Sequence, residues 1–118
     1  MATILVVDDS AFMRSRNVAL LKQLGHETLE AGDGNEAVES YKQNKPDAVL
    51  MDITMPGMDG LEALKVILAH DPSARVAMVT AMGQQSIVMD AIKAGAADFV
   101  VKPFDPERVT AALEKLGA

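Results

Sequence analysis

The sequence predicts an α/β protein: a doubly wound parallel sheet of five strands with five helices. Three observations carry this. Short, wholly apolar runs recur along the chain, segments with apolar residues at helical spacing lie between them, and capping residues and glycines mark the boundaries. Continuous rather than alternating hydrophobicity suits parallel strands covered on both faces. Strict alternation of strand and helix then implies right-handed crossovers and helices on both sides of the sheet.

Taken in order, Ile4-Leu5-Val6-Val7 is the first run, and Met13, Leu20, Leu21 and Leu24 give the following helix its apolar face. Gly25 stands where that helix should close, since glycine accepts the left-handed conformation of a helix end. His26 to Glu30 is the weakest strand, as suits an edge. Asp33 with Glu36 three residues on makes a capping-box pattern, opening a helix that buries Ala37, Val38 and Tyr41. Ala48-Val49-Leu50-Met51 is the central strand, and Leu61, Leu64 and Leu68 follow on one helical face. Val76-Ala77-Met78-Val79 precedes a helix marked by Ile87, Val88, Ala91 and Ile92 and closed by Gly95. Phe99-Val100-Val101 is the last strand, and Asp105-Pro106 reads as an N-cap with proline at the first position of a helix burying Val109, Leu113 and Leu116. No linker or low-complexity stretch interrupts the pattern, so the expectation is one domain over residues 1–118 whose signal or product leaves through its own surface.

Composition excludes several functions. With no cysteine among 118 residues, disulfides, zinc-thiolate sites and thiol nucleophiles are impossible. Seventeen acidic against 11 basic side chains leave a formal charge of −6 and no basic run, which argues against nucleic-acid and anionic-membrane binding. No apolar run approaches the roughly 20 residues of a membrane span, and no basic stretch and small-residue cleavage site frame a secretory signal. The expected location is therefore cytoplasmic.

In an open parallel sheet the functional crevice lies at the carboxyl ends of the strands. Here those ends carry Asp8-Asp9, Asp52, Thr80 and Lys102-Pro103. Singly, each has an ordinary explanation: Asp8-Asp9 before Ser10 can cap a helix, Thr80 can cap the next one, Asp52 can be a loop residue and Lys102-Pro103 a turn. Together they put three carboxylates, a hydroxyl and an ammonium on one rim. Carboxylates crowded in a poorly solvated site call for a cation, and an all-oxygen donor set suits magnesium. Three carboxylates, one magnesium ion and the Lys102 ammonium sum to zero charge, so an incoming phosphoryl group is not repelled. Its oxygens can reach the metal, Lys102 and Thr80, and a carboxylate can act as nucleophile to give an aspartyl phosphate. Asp52, at the end of the central strand, is the best candidate, with Asp8 and Asp9 paired as ligands would be.

These residues stand in Val6-Val7-Asp8-Asp9-Ser10, Met51-Asp52-Ile53-Thr54-Met55-Pro56-Gly57-Met58-Asp59-Gly60, Val79-Thr80-Ala81 and Val101-Lys102-Pro103-Phe104, which together resemble the receiver domain of two-component response regulators. The resemblance covers essentially the whole chain in order. It implies a flavodoxin-like sheet in the order 2-1-3-4-5. It further implies that Asp52 accepts a phosphoryl group from a histidine kinase, and that Asp8, Asp9, Asp52 and the backbone carbonyl of Thr54 hold Mg2+, with Asp9 the closer of the paired ligands. Thr80 and Lys102 would hold the phosphoryl oxygens, Phe99 would swing inward with Thr80, and the Lys102-Pro103 bond would be cis. Asp8-Asp9-Ser10-Ala11-Phe12-Met13-Arg14 and Ala81-Met82-Gly83-Gln84-Gln85-Ser86 are most similar to the single-domain chemotaxis regulators, especially those outside the enteric bacteria.

The implied function is a phosphorylation-activated switch rather than an enzyme: a monomer whose fourth-helix and fifth-strand face controls the flagellar motor switch. Thr54 and Met82 occupy the positions two residues beyond Asp52 and Thr80 that tune dephosphorylation, and neither offers an acid or amide, which points to a separate phosphatase as partner. Two other single-receiver roles share this chemistry or nearly so: a phosphorelay or cell-cycle receiver, and a degenerate receiver, which the intact Asp8, Asp9, Asp52, Thr80 and Lys102 set disfavours. A small magnesium-dependent phosphatase is the enzymatic rival. It would need a second Asp where this chain has Thr54, and a cap domain for its substrate.

Overall fold

Each strand of the structure is a short β-rich run stopped by a polar residue or turn, and α1, α2, α3 and α5 each begin at a side chain, Ser10, Asp33, Asp59 and Asp105 in turn, that accepts from one of the first free N–H groups of the helix. The structure, a computed structural model, describes residues 2–55, 57–81, 84–102 and 105–117. The elements are β1 (Thr3–Val7), α1 (Ala11–Gln23), β2 (Glu27–Ala31), α2 (Gly34–Asn44), β3 (Ala48–Asp52), α3 (Gly60–His70), β4 (Val76–Thr80), α4 (Gln85–Ala94), β5 (Asp98–Val101) and α5 (Pro106–Lys115). All four strand pairings are parallel and the order is β2-β1-β3-β4-β5, as the resemblance implies. The order reverses between β1 and β3, so a crevice opens at their carboxyl ends.

Alternating residues of the strands feed two separate cores. Leu5, Val7, Val49, Met51, Val76 and Met78 pack under α2, α3 and α4. Ile4, Val6, Leu50, Ala77, Val79 and Val100 pack under α1 and α5. Each fully buried aliphatic side chain contributes about 1.5–3 kcal/mol, so the central strands are the strongest part of the sheet. The predicted caps are present: Asp33 accepts from the Glu36 N–H at 2.8 Å, and Asp105 accepts from the Glu107 N–H at 3.0 Å with Pro106 at the helix start. Gly25 and Gly95 both have positive φ at helix ends.

Four sequence expectations change. The apolar face predicted for α1 is displaced: Asn17, Val18 and Leu21 are buried, Met13 and Leu20 are half-buried, and Leu24 lies beyond the helix on the surface. On α4 only Val88 and Ala91 are buried, while Ile87, Ile92 and Met89 face outward. The last strand is not covered on both faces. As an edge strand it alternates, with Asp98 and Val100 inside and Phe99 and Val101 exposed. β2 is the other edge, and it begins one residue later than predicted because His26 is drawn to the helix end, its N–H donating to Leu21 O at 3.0 Å. Among the described residues no helix is long and apolar enough to cross a membrane. The expected cis Lys102-Pro103 bond, Met82 and Phe104 lie outside the described residues.

Candidate functional site

Four strands deliver the site from their carboxyl ends. Asp8 follows β1, Asp52 ends β3, Thr80 ends β4 and Lys102 follows β5. Backbone bonds carry the ladder one step past the strands and fix two of these positions: Asp8 N–H donates to Ala31 O at 3.2 Å, and Lys102 N–H to Thr80 O at 2.7 Å. The start of α3 fixes a third. Gly60 N–H donates to Ile53 O at 2.9 Å, and a Cβ at Gly60 would collide with the Asp52 carbonyl, so only glycine lets α3 come this close.

The capping alternatives for these residues resolve differently. Ser10, not Asp8 or Asp9, caps α1, its hydroxyl accepting from Met13 N–H at 3.2 Å. Asp8 Oδ1 accepts from Ser10 N–H at 2.9 Å, and Arg14 donates to the Asp8 carbonyl at 2.7 Å, so the Asp8 backbone and one carboxylate oxygen are held. Thr80 does not cap α4 either, because Gln84 occupies that position.

Charge at the rim is unbalanced. Asp8 and Asp52 are 1% and 4% exposed, and between them stands one ammonium, Lys102 Nζ, 3.3 Å from Asp8 Oδ2 and 3.2 Å from Asp52 Oδ2. Lys102 approaches Asp8 closely enough for an ion pair, and among the described residues the buried Asp8 Oδ2 has no well-formed hydrogen bond. Burial pushes the Asp52 carboxyl above the ordinary carboxylate range and the neighbouring Asp8 charge adds to this, while Lys102 and the Thr54 N–H hold it back. Burial alone would depress the Lys102 ammonium, yet the two carboxylates outweigh it and raise its pKa. Asp9 sits exposed at the mouth, and Asp8, Asp9 and Asp52 each place a carboxylate oxygen within 4.8 Å of the others. The arrangement can take a hard cation on oxygen donors and a phosphoryl group beside it.

Around this rim the structure adds residues that sequence reasoning missed. Gln84 Oε1 accepts from Thr80 Oγ1 at 2.7 Å and from Ala81 N–H at 2.8 Å, and Gln84 Nε2 donates to Thr54 Oγ1 at 2.7 Å. Thr54 indeed bears no amide, but an amide reaches it from the next loop. The sequence signal was a glutamine four residues beyond Thr80, present in the quoted motif without an assigned role. Phe99, 37% exposed, faces outward. Arg108 of α5 packs over its ring at 5.7 Å, donates to its carbonyl oxygen and forms a two-pronged pair with Asp98 at 3.0 and 3.1 Å. Between β5 and α4 this leaves an apolar groove of about 490 Å³, walled by Thr80, Gln84, Val88, Met89, Phe99 and Val101.

Residues 4–114 match the family model described as response regulator receiver domain. The chain is 54% identical over 114 residues to the chemotaxis protein CheY of Thermotoga maritima, covering 96% of this chain and 95% of that one. It is 56% identical over 113 residues to CheY of Bacillus subtilis, covering 95% and 94%. Among solved structures, it resembles CheY in the CheX-CheY-BeF3-Mg2+ complex of Borrelia burgdorferi with a TM-score of 0.91 at 37% identity, over 98% and 89% of the two chains. A receiver domain protein of Clostridium thermocellum gives a TM-score of 0.94 at 28% identity, over 98% and 94%.

Proposed function

The chain belongs to the response regulator receiver family, and from that premise we propose that Asp52 is its phosphoacceptor, served by Mg2+, Thr80 and Lys102. It is a phosphorylation-activated chemotaxis response regulator, a signalling protein rather than an enzyme acting on an external substrate. The observation that carries the site assignment is the surplus of negative charge: two buried carboxylates and a third at the mouth, with one ammonium among them.

The donor set fits magnesium. All the candidate ligands are oxygens, and among the described residues the buried Asp8 Oδ2 lacks a well-formed hydrogen bond, which a cation would compensate. Asp8, Asp9, Asp52 and the Thr54 carbonyl would hold the ion. When bound, it would offset the carboxylate repulsion and neutralise charge on the phosphoryl oxygens. The chain's own residues do the rest. An Asp52 carboxylate oxygen attacks phosphorus in the phosphohistidine of a kinase, the P–N bond breaks, and its electron pair stays on the imidazole nitrogen. Lys102 Nζ, already 3.2 Å from Asp52 Oδ2, is placed to pair with a phosphoryl oxygen there, and the Thr80 hydroxyl would donate to another.

The output reading follows from position. Thr80 and Phe99 wall the same groove, so a hydroxyl drawn toward Asp52 would open space toward which the Phe99 ring can turn, altering the α4–β5 face. We assign the receiver domain to residues 1–118 and that face as the contact for a flagellar motor switch protein in the cytoplasm. A separate phosphatase completes the cycle, a reading supported by Thr54, two residues beyond Asp52, whose own side chain is neither an acid nor an amide. The test is incubation with acetyl phosphate and magnesium followed by intact-mass measurement. The wild-type protein should gain one phosphoryl group and Asp52→Asn none; equal labelling of both would overturn the assignment. Tighter binding of a motor-switch peptide by the phosphorylated form would support the chemotaxis output, and equal binding would favour a phosphorelay role.

A further inference from the structure

A hydroxyl has one hydrogen to donate, and in this structure the Thr80 hydrogen is already committed. Its short contact is to Gln84 Oε1 at 2.7 Å, with the Ala81 carbonyl further off at 3.0 Å. Gln84 is itself held at three points, because Oε1 also accepts from Ala81 N–H and Nε2 donates to Thr54 Oγ1. That pattern allows only one amide orientation, since a flipped amide would set its NH2 against the Ala81 N–H. The acceptor facing Thr80 is therefore pre-oriented and belongs to a bridge between the loops after β3 and β4. Gln84 stands at the α4 N-cap yet makes no side-chain capping bond, so α4 does not use it as a cap.

From this geometry we infer that Gln84 is a positioning residue: it holds the Thr80 hydroxyl away from Asp52 and so competes with a phosphoryl group for the same hydrogen. The inference rests on the reading in which Asp52 carries the phosphoryl group and Thr80 donates to it. Phosphorylation must then break the Thr80–Gln84 bond before Thr80 can engage. The amide weakens the active arrangement by the net worth of one hydrogen bond, equivalent to about two- to tenfold in affinity. Because Gln84, Thr80 and Phe99 wall one groove, releasing the amide also loosens the wall against which Phe99 would turn.

The test uses beryllium fluoride with magnesium as the phosphoryl mimic, titrated into the full chain and followed by the fluorine NMR signal of the bound species. Gln84→Met keeps length and removes both polar atoms. It should bind the mimic about two- to tenfold more tightly than wild type. In a Thr80→Val background, where there is no hydrogen to compete for, Gln84→Met should change nothing further, a coupling that a merely structural effect of Gln84 would not produce. Unchanged or weaker binding by Gln84→Met would overturn the inference, as would an equal gain in the Thr80→Val background. An Asp52→Asn control that still shows the bound signal would instead overturn the phosphoacceptor reading on which the inference rests.

Discussion

Two groups of buried charge sit on the same sheet and behave in opposite ways. At the amino end of β5, Asp98 meets Arg108 one to one, with two parallel contacts at 3.0 and 3.1 Å. Burial alone would raise the Asp98 carboxyl, but the Arg108 hydrogen bonds, the Phe99 N–H and the charges of Arg108 and Lys115 together outweigh it and hold it below the ordinary range. At the carboxyl ends of β1 and β3, Asp8 and Asp52 share one lysine, and the Asp52 carboxyl is raised instead. Both sites bury an aspartate, at 6% and 4% exposure for Asp98 and Asp52, so burial does not separate them. Stoichiometry does. A balanced pair has no use for a further ion and serves stability, whereas a surplus of carboxylate is held at a cost that a cation and a phosphoryl group can offset.

The largest expected effect on stability comes from breaking the balanced pair. Arg108→Met leaves the Asp98 carboxylate buried without its partner and should cost about 2 kcal/mol, read as a lower urea midpoint. Because the folded pKa of Asp98 is depressed, its contribution is present above the unfolded carboxylate range near 4 and is lost as pH falls through the lower folded value. That acid limb should flatten in Arg108→Met; an unchanged limb would break the comparison.

The unbalanced cluster should respond with the other sign. Asp8→Asn keeps the oxygen that accepts from Ser10 N–H and leaves Lys102 and Asp52 one to one, so without magnesium it should stabilise the fold by about 1 kcal/mol. Calorimetry should show the same variant losing most of its magnesium affinity. Destabilisation comparable to that of Arg108→Met would show that the site is built for stability after all.

The smallest effect sharpens the contrast from outside both sites. Tyr41 OH donates to Asp71 Oδ2 at 2.7 Å, and burial with that bond raises the Tyr41 pKa to about 12. Tyr41→Phe should cost roughly 0.5–1 kcal/mol at neutral pH. A raised folded pKa gives stability that is fully present below the ordinary value of 10.0 and is lost as pH rises through about 12, so the wild type should lose this increment in alkali and the variant should have none to lose. As the chain's single tyrosine and with no tryptophan, Tyr41 reports its own ionisation by absorbance.

Much of the site was legible because it sits at strand ends. Apolar runs stop at Asp8, Asp52, Thr80 and Lys102, and a stop after a buried strand is a strong signal. The helix faces were read less well. Asn17 is buried on α1 although the predicted face was Met13, Leu20, Leu21 and Leu24, and Ile87 and Ile92 on α4 face outward, since spacing shows that a helix has a stripe without showing which flank of it is covered. Gln84 was present in a quoted motif and carried no role, because nothing local distinguishes a glutamine that bridges two loops from one in solvent.

What the sequence determined by itself was the alternation of strand and helix and, through it, the rim. Parallel strands all point their carboxyl ends the same way, so residues as far apart as Asp8 and Lys102 must emerge on one edge whatever their separation in the chain. What only the tertiary structure decided was which of those side chains touch: one lysine between two aspartates, the Gln84 amide bound to Thr80 and reaching Thr54 across 30 positions, and Arg108 reaching Asp98 beneath an uncovered edge strand. Those contacts depend on how far each loop leans and which face each helix covers, and packing across the whole sheet sets both.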